Sequence, residues 1–389
     1  MSNLDQPFAV GAEPLARIPR AAYLLTACVA VIGSNSLVLG PIAPEVALGF
    51  GTSVALVVAA SSAFGLGTAA SALFLARYID RFGARRMLQR ALALLALALV
   101  ASALAPAISV LIAAQLLAGV AAGIALPAIY SSAAAIAPRG RESGTIGVVL
   151  TGWTLSMVAG VSLSAVLADL VHWRAVFGVV AVLAATAATS LSAISLSDKP
   201  SGTVAPAPLQ ALSTPGIVPL LVACGAFMTA FYGVYGYLGD HLHEALGRPV
   251  SANGLAAVSY GIGFGAAALL DGVVDRLGAR RVMPLAYLAV AAIYVLLAAI
   301  AGSFTALIAA MALWGLANHF GLNVLVMRLS ALDPARRGTI MGLNSAVTYL
   351  AVFVGTTAFG PLYASFGFAV SALAAAGLML IAATAAVWR

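Results

Sequence analysis

The sequence predicts an all-α integral membrane protein: twelve transmembrane helices in two pseudo-symmetric six-helix bundles. Three observations carry that reading. Hydrophobic residues make up 63% of the 389 positions and charged residues only 8%, whereas a soluble domain carries about 25% charged residues. Apolar runs of about 20 residues, the length of a helix that crosses a bilayer, recur along nearly the whole chain. One charged phrase also occurs twice, half a chain length apart. Asp80-Arg81-Phe82-Gly83-Ala84-Arg85-Arg86 returns as Asp275-Arg276-Leu277-Gly278-Ala279-Arg280-Arg281, identical at every position but one.

Backbone polar groups in hydrocarbon must be paired within the spanning segment, so the apolar runs are read as helices. Strands of a membrane barrel would alternate polar and apolar residues over about 10 positions, and the sequence has no such pattern. The first half is assigned spans near 21–46, 53–75, 87–105, 108–136, 143–170 and 174–196. Residues 1–20, with Pro7, Pro14 and Pro19, form an N-terminal tail. The apolar run after Arg20 exceeds the roughly 7–15 residues of a signal-peptide core, so no cleavage is expected. Pro41-Ile42-Ala43-Pro44 is read as the end of span one, and the repeated loop separates spans two and three. Residues 197–214 are a linker marked by Asp198, Lys199, Pro200, Pro206 and Pro208. The second half is assigned spans near 216–238, 251–272, 283–301, 304–328, 338–362 and 366–388, so residues 215–389 form the second bundle. Six spans per half makes the repeats parallel, with substrate expected between them near mid-membrane.

Charge sets the expected orientation. With the N-terminus inside and the spans alternating, all but Arg174 and Arg248 of the 19 lysines and arginines fall on one face. By the positive-inside rule that face is cytoplasmic, and both termini lie there. The net charge of +7 is then an orientation signal, and no nucleic-acid partner is expected. A second echo supports duplication: Pro138-Arg139-Gly140-Arg141-Glu142-Ser143-Gly144-Thr145-Ile146 opens span five, and Pro334-Ala335-Arg336-Arg337-Gly338-Thr339-Ile340 opens span eleven.

With these residues in place, the chain resembles a major facilitator superfamily transporter over essentially its whole length. The family signature between spans two and three is Gly-x-x-x-Asp-Arg/Lys-x-Gly-Arg-Arg/Lys. Here it reads Ala76-Arg77-Tyr78-Ile79-Asp80-Arg81-Phe82-Gly83-Ala84-Arg85-Arg86, with Ala at the leading Gly. Pro41-Ile42-Ala43-Pro44 and Trp173-Arg174-x-x-Phe177 resemble the twelve-span drug and sugar, arabinose-efflux-like, proton antiporter branch. Two segments depart from that branch. Span four reads Gln115-Leu116-Leu117-Ala118-Gly119-Val120-Ala121-Ala122-Gly123 where the branch commonly carries an Arg linked to proton coupling. Span five reads Gly160-Val161-Ser162-Leu163-Ser164-Ala165 where antiporters often carry a Gly-Pro step.

The resemblance implies gating by the repeated loops: Asp80, Arg81, Gly83, Arg85 and Arg86, and their echoes Asp275, Arg276 and Gly278. An anion near a helix N-terminus is worth about 0.3–1 kcal/mol exposed and up to about 2 partly buried, enough to bias a two-state equilibrium. The bland alternative is topogenic charge. The resemblance also implies that spans one, four, seven and ten line the cavity, which selects Asn35, Gln115, Phe231, Tyr232, Asn318 and His319 as substrate contacts over Trp153. Packing between helices is the competing role for each.

His319 is the one titratable group placed near the midplane, where an ionisable residue is a functional candidate. Interhelical hydrogen bonding, substrate contact and proton coupling are its three possible roles. Glu45, Asp169, His172, Asp240, His241, His243 and Glu244 are placed at or beyond the outer ends, and Tyr235 and Tyr237 are read as interfacial anchors. Cys28 and Cys224 are read as buried small apolar residues. No metal site, cofactor or catalytic set is expected, and the chain is not read as an enzyme. The expected function is proton-coupled efflux of a small neutral or amphipathic solute across a bacterial inner membrane, by a monomer working through alternating access. A uniporter or importer of a small metabolite is the alternative, and a non-transporting membrane sensor a distant one.

Overall fold

A computed structural model describes residues 18–138, 142–193, 207–270, 272–333 and 336–387. Among them every regular element is helical. The first bundle holds α1 (Arg20–Phe50), α2 (Val54–Phe74), α3 (Ala84–Ala103) and α4 (Ile108–Ile136). Its α5 is composite: Glu142–Leu155 and Ser162–Leu170 joined by a π-helical turn, Ser156–Val161. It ends with α6 (Trp173–Ser190). The second bundle holds α7 (Ile217–Asp240), α8 (Ala252–Ala267), α9 (Ala279–Ala299) and α10 (Phe304–Leu332). The last helical stretch, Arg337–Val387, is broken at Gly367, whose φ of 77° and ψ of −175° are not helical. It therefore supplies two spans, α11 (337–366) and α12 (368–387).

These helices form because their residues suit lipid. Ten stretches, with Thr339–Val387 counted as one, are long and apolar enough to cross a membrane. The α8 helix, 16 residues long, makes the twelfth span once Thr339–Val387 is divided. Below, the end carrying the repeated arginine loops is the arginine face, and the other end is the distal face.

The sequence repeat is also a backbone repeat. Gly83 adopts φ 91°, ψ 136° and Gly278 adopts φ 83°, ψ 137°. A side chain at either position would be strained, so glycine is the residue that permits this turn. The N–H of Gly83 donates to Ile79 O and that of Gly278 to Val274 O, each at 2.8 Å, and each glycine leads directly into the next long helix. Cys28 and Cys224 are both buried, as their apolar neighbours predict.

Within each bundle, small residues let matching pairs of helices approach closely. A Cβ at Gly119 of α4 would run into the Phe64 carbonyl of α2, and one at Gly123 into the Thr68 carbonyl. In the second bundle a Cβ at Gly315 of α10 would meet the Tyr260 carbonyl of α8, and one at Gly263 would meet Ala312. The two bundles join mainly along their middle and distal parts. Ser62 Oγ of α2 and Thr356 Oγ1 of α11 share a hydrogen bond of 2.6 Å, and Thr357 donates to Ser62 at 3.1 Å. Asn253 of α8 donates to the Pro41 carbonyl of α1 at 2.6 Å. The π-helical turn of α5 lies against α8, with Val158 beneath Gly261.

Three expectations change. Span one does not end at Pro41-Ile42-Ala43-Pro44: α1 continues to Phe50. A proline inside a helix leaves a carbonyl without its donor, and Pro44 does this to Gly40. That carbonyl faces Gly239 of α7 so closely that a Cβ there would lie 2.6 Å away, while Asn253 holds the Pro41 carbonyl. Pro41 does the same to Leu37, and the helix nonetheless runs through both prolines to Phe50. Tyr235 and Tyr237 are not interfacial but buried, at 4% and 1% exposure. Asp240 is the last residue of α7, at the outer end where the sequence placed it, but is buried there against Tyr363, and a π-helical turn, His241–Ala245, follows. Only part of the expected linker falls on described residues: Pro208–Ser213 forms a 3₁₀ turn, and 194–206 lie outside them.

The close crossings make a stability prediction. Gly119→Ala adds a methyl where Phe64 leaves no room, an overpacking cost of about 1–3 kcal/mol. Gly147 has nothing within 4 Å of a Cβ, so Gly147→Ala gains helix propensity of roughly 0.8–1.0 kcal/mol. Thermal unfolding in detergent should show a lowered Tm for the first and an equal or raised Tm for the second. Equal losses would mean that glycine at α4 does not act through close approach.

Candidate functional site

The candidate site is a belt of aromatic and hydroxyl groups at the junction of the bundles. Its centre is Phe231 of α7, whose ring lies 5.0 Å from Tyr232, 5.4 Å from Tyr235, 5.6 Å from Tyr260 and 5.4 Å from Trp314. The backbone geometry explains the gathering. Phe231 and Tyr235 are one helical turn apart on α7, and Gly315 lets α10 approach α8 at Tyr260, bringing Trp314 edge-on to the Tyr260 ring at 5.4 Å. Asn318, one turn beyond Trp314, donates to the Tyr260 hydroxyl at 2.9 Å. His319 packs edge-on against Phe264 of α8 at 5.0 Å.

The first bundle completes the belt. The Tyr232 hydroxyl lies beside Ser36 of α1. Trp153 of α5 donates its indole N–H to Tyr130 of α4 at 3.1 Å. Tyr349 of α11 is near both Tyr130 and Tyr232. The Tyr235 hydroxyl reaches the Met157 sulfur of α5 at 4.0 Å. Among the buried polar atoms here Asn318 Oδ1 has unmet hydrogen-bonding capacity, while Ser36 pairs with Tyr232 and Trp314 with Tyr294. Such a group costs about 1–3 kcal/mol if left unpaired, so this position favours a solute that carries a donor.

Of the residues singled out from sequence, Phe231, Tyr232, Asn318 and His319 meet around Tyr260. Asn35 and Gln115 do something different. The Asn35 amide donates to Gln115 Oε1 at 3.1 Å, and Gln115 donates back at 3.4 Å and to Ser102 of α3 at 3.1 Å. At 2% and 0% exposure, the two amides clamp α1, α3 and α4 together. Tyr130, Tyr260 and Trp314 were not singled out. The available signal was local: Tyr260 and Trp314 each stand beside a glycine, Gly261 and Gly315, in spans rich in small residues.

On the arginine face, Arg85 donates to the Ser192 carbonyl beyond α6 at 2.8 Å, within its own bundle. Arg81 lies over Phe82, and Arg86 and Arg276 are exposed. The side chains of Asp80 and Asp275 lie outside the described residues. The His and acid group after α7 does not converge on one point: Asp240 accepts from Tyr363 at 2.6 Å, while His241 meets the Ala301 carbonyl at 2.8 Å and stacks on Phe368. Among the described residues no three His, Cys, Asp or Glu side chains are grouped to hold a metal.

Comparison with known proteins agrees with this architecture. The family model described as Major Facilitator Superfamily matches residues 24–247 and 220–389. An uncharacterized MFS-type transporter of Bacillus subtilis (strain 168), YwfA, is 26% identical over 372 residues, 92% of this chain and 89% of that protein. A chloramphenicol resistance protein of Streptomyces lividans is 28% identical over 279 residues, 70% of each chain. The crystal structure of the human organic anion transporter MFSD10 (TETRAN) superposes with a TM-score of 0.73 over 96% of this chain and all of that one, at 16% identity. That likeness carries the fold alone. With twelve spans in two bundles and family matches across both halves, the chain belongs to the Major Facilitator Superfamily of membrane transporters.

Proposed function

We propose that the chain exports small neutral or amphipathic solutes across a bacterial inner membrane by proton-coupled alternating access. The observation that carries this reading is the belt itself. It draws polar and aromatic side chains from α1, α4, α5, α7, α8, α10 and α11 to one junction inside a very apolar protein. The described lining has no arginine, lysine or carboxylate in contact, which suits an uncharged solute. The family's chemistry supports transport, and the resistance protein of Streptomyces lividans supports efflux.

In this reading residues 21–196 and 215–389 move as two bodies joined by the 197–214 linker, with both termini cytoplasmic and the protein a monomer. Contacts such as Asn253 with Pro41 seal the distal side in one state. The repeated loops, through Asp80, Arg81, Gly83, Arg85, Arg86, Asp275, Arg276 and Gly278, bias the opposite state. His319, with its ring against Phe264 in the middle of α10, is the proposed proton carrier. One observation favours the alternative of a uniporter or importer. Where the resembled branch carries an Arg, this chain has Gln115, whose amide is engaged by Asn35 and Ser102.

Proteoliposomes decide between them, with chloramphenicol as the first solute. An exporter of this kind accumulates solute when a pH gradient is imposed, and a uniporter only equilibrates it. His319→Asn should abolish gradient-driven accumulation and leave solute–solute exchange intact. Equal loss of both, or of neither, removes His319 from coupling.

The location of the cavity is tested separately. Tyr232→Phe and Tyr349→Phe each delete one belt hydroxyl, worth about 0.5–1.5 kcal/mol. The half-saturating solute concentration in exchange should rise roughly 2–10-fold without loss of thermal stability. Unchanged saturation in both variants would place the solute elsewhere.

A further inference from the structure

A second concave site lies at the distal face, away from the belt. It is a crevice of about 460 Å³ between the bundles, walled by α1 and the turn after it on one side and by α7 and α11 on the other. That size falls within the roughly 300–1,000 Å³ of small-molecule pockets. Most of the wall is apolar, including Pro44, Leu48 and Val54. Its chemistry is concentrated in four side chains: Asp240, Glu244, Tyr237 and Tyr363.

Asp240 is 8% exposed. Its Oδ2 accepts the Tyr363 hydroxyl at 2.6 Å, which fixes the carboxylate on the crevice wall. Glu244 follows one turn later and is 69% exposed at the mouth. Two like charges at this spacing on one helix destabilise each other, and no arginine or lysine lines the crevice to offset them. The two cations on the distal face are engaged elsewhere. Arg174 donates to the Ala105 carbonyl at 2.7 Å and lies 4.3 Å over the Trp173 ring, and Arg248 lies 4.7 Å over Phe304. Two imidazoles stand near the pair: His243, 3.8 Å from Glu244, and His241, next to Asp240 and bonded to the Ala301 carbonyl.

The tyrosines supply the third element. The Tyr237 and Tyr363 rings stack at 5.1 Å with an interplanar angle of 23°. Both hydroxyls are committed, to the Thr356 carbonyl at 2.7 Å and to Asp240. Tyr237 is buried behind Tyr363, at 1% exposure, so the ring surface offered to a guest is that of the half-buried Tyr363, which attracts cations through the ring quadrupole. A hard metal ion would need six or more oxygen ligands, and these walls do not supply them. A bulky organic cation needs what is present: negative charge, a ring face and an apolar wall.

We infer that the distal crevice binds organic cations with an aromatic or apolar body, held by the carboxylates of Asp240 and Glu244 and the ring of Tyr363, which Tyr237 backs. This site is distinct from the belt and does not depend on what the belt carries or on whether transport is proton-coupled.

Equilibrium binding to the purified full-length protein in detergent tests the inference without a membrane or a gradient. The probe is radiolabelled tetraphenylphosphonium, and its control is tetraphenylborate, the anion of the same shape. Wild type should bind the phosphonium saturably. Asp240→Asn with Glu244→Gln should weaken that binding at least tenfold and leave tetraphenylborate binding unchanged. Tyr232→Phe, in the belt, should leave phosphonium affinity unaltered. Glu244→Gln alone, at an exposed position, should give a measurable loss even if Asp240→Asn proves poorly folded. Absence of saturable phosphonium binding, equal affinity in the carboxylate variants, or a loss confined to Tyr232→Phe would overturn the assignment. None of these outcomes bears on accumulation driven by a pH gradient, so the two readings stand or fall separately.

Discussion

The structure depends on one constraint: a polar group inside a hydrocarbon-facing protein must find its partner within the protein. This sorts the polar side chains of the chain into two kinds. Asn35, Gln115 and Ser102 satisfy one another and tie three helices of the first bundle. Ser62, Thr356 and Thr357 do the same between α2 and α11. Around Phe231 the pattern changes. Ser36 pairs with Tyr232, Trp314 with Tyr294 and Asn318 with Tyr260. Framework and candidate site thus differ in partner type: amides and aliphatic hydroxyls bond one another in the framework, whereas the site's polar groups end on aromatic residues.

Glycine supplies the complementary half of the design. Lipid tails are as apolar as leucine, so helices gain little by hiding apolar surface from them, and close van der Waals packing must hold them together. The crossings at Gly119 and Gly123, and at Gly263 and Gly315, make rigid pairs within each bundle. Between bundles glycine also brings backbones together, at Gly65 of α2 against Tyr349, Gly239 of α7 against Gly40 and Gly254 of α8 against Ser162, and hydrogen bonds are added by Asn253 to Pro41 and by the hydroxyl pair at Ser62. A π turn is often found at functional sites. Here it falls within residues 156–161, overlapping the start of the stretch where the resembled antiporters carry a Gly-Pro step. Contact surfaces of small residues between the bundles suit two bodies that rock against each other.

How far the sequence could be read follows from the range of the interactions concerned. The spans were legible because hydropathy is local. The repeat was legible down to its backbone, since Gly83 and Gly278 hold nearly the same φ and ψ and that conformation excludes other residues. The end of α1 was not legible. Pro41 and Pro44 look like a stop, yet α1 runs on to Phe50, packed at this point against Gly239 and Asn253, about 200 positions away. Tyr235 and Tyr237 resembled interfacial anchors for the same reason: Met157 and the Thr356 carbonyl, which bury them, are distant in sequence. Within the site, Phe231, Tyr232, Asn318 and His319 could be selected by span and depth. Tyr260, which gathers them, could not, because its role arises only where α8 and α10 cross.

Asp240 shows that an outer-end position along the chain does not by itself mean exposure to water. Counted along the chain it sits past the last apolar residues of α7, where water would solvate it. In the fold the helix continues, Tyr363 bonds the carboxylate, and α1 closes over it across the bundle junction. Burying a carboxylate is expensive unless it is hydrogen-bonded and paired, and the Tyr363 bond meets only the first condition. Arg174 and Arg248 stand on the same face, but each is held by its own aromatic and carbonyl partners. The pairing that remains open is with a cation from outside the described chain, and the Tyr363 ring and apolar wall set the kind of cation that the crevice would hold best.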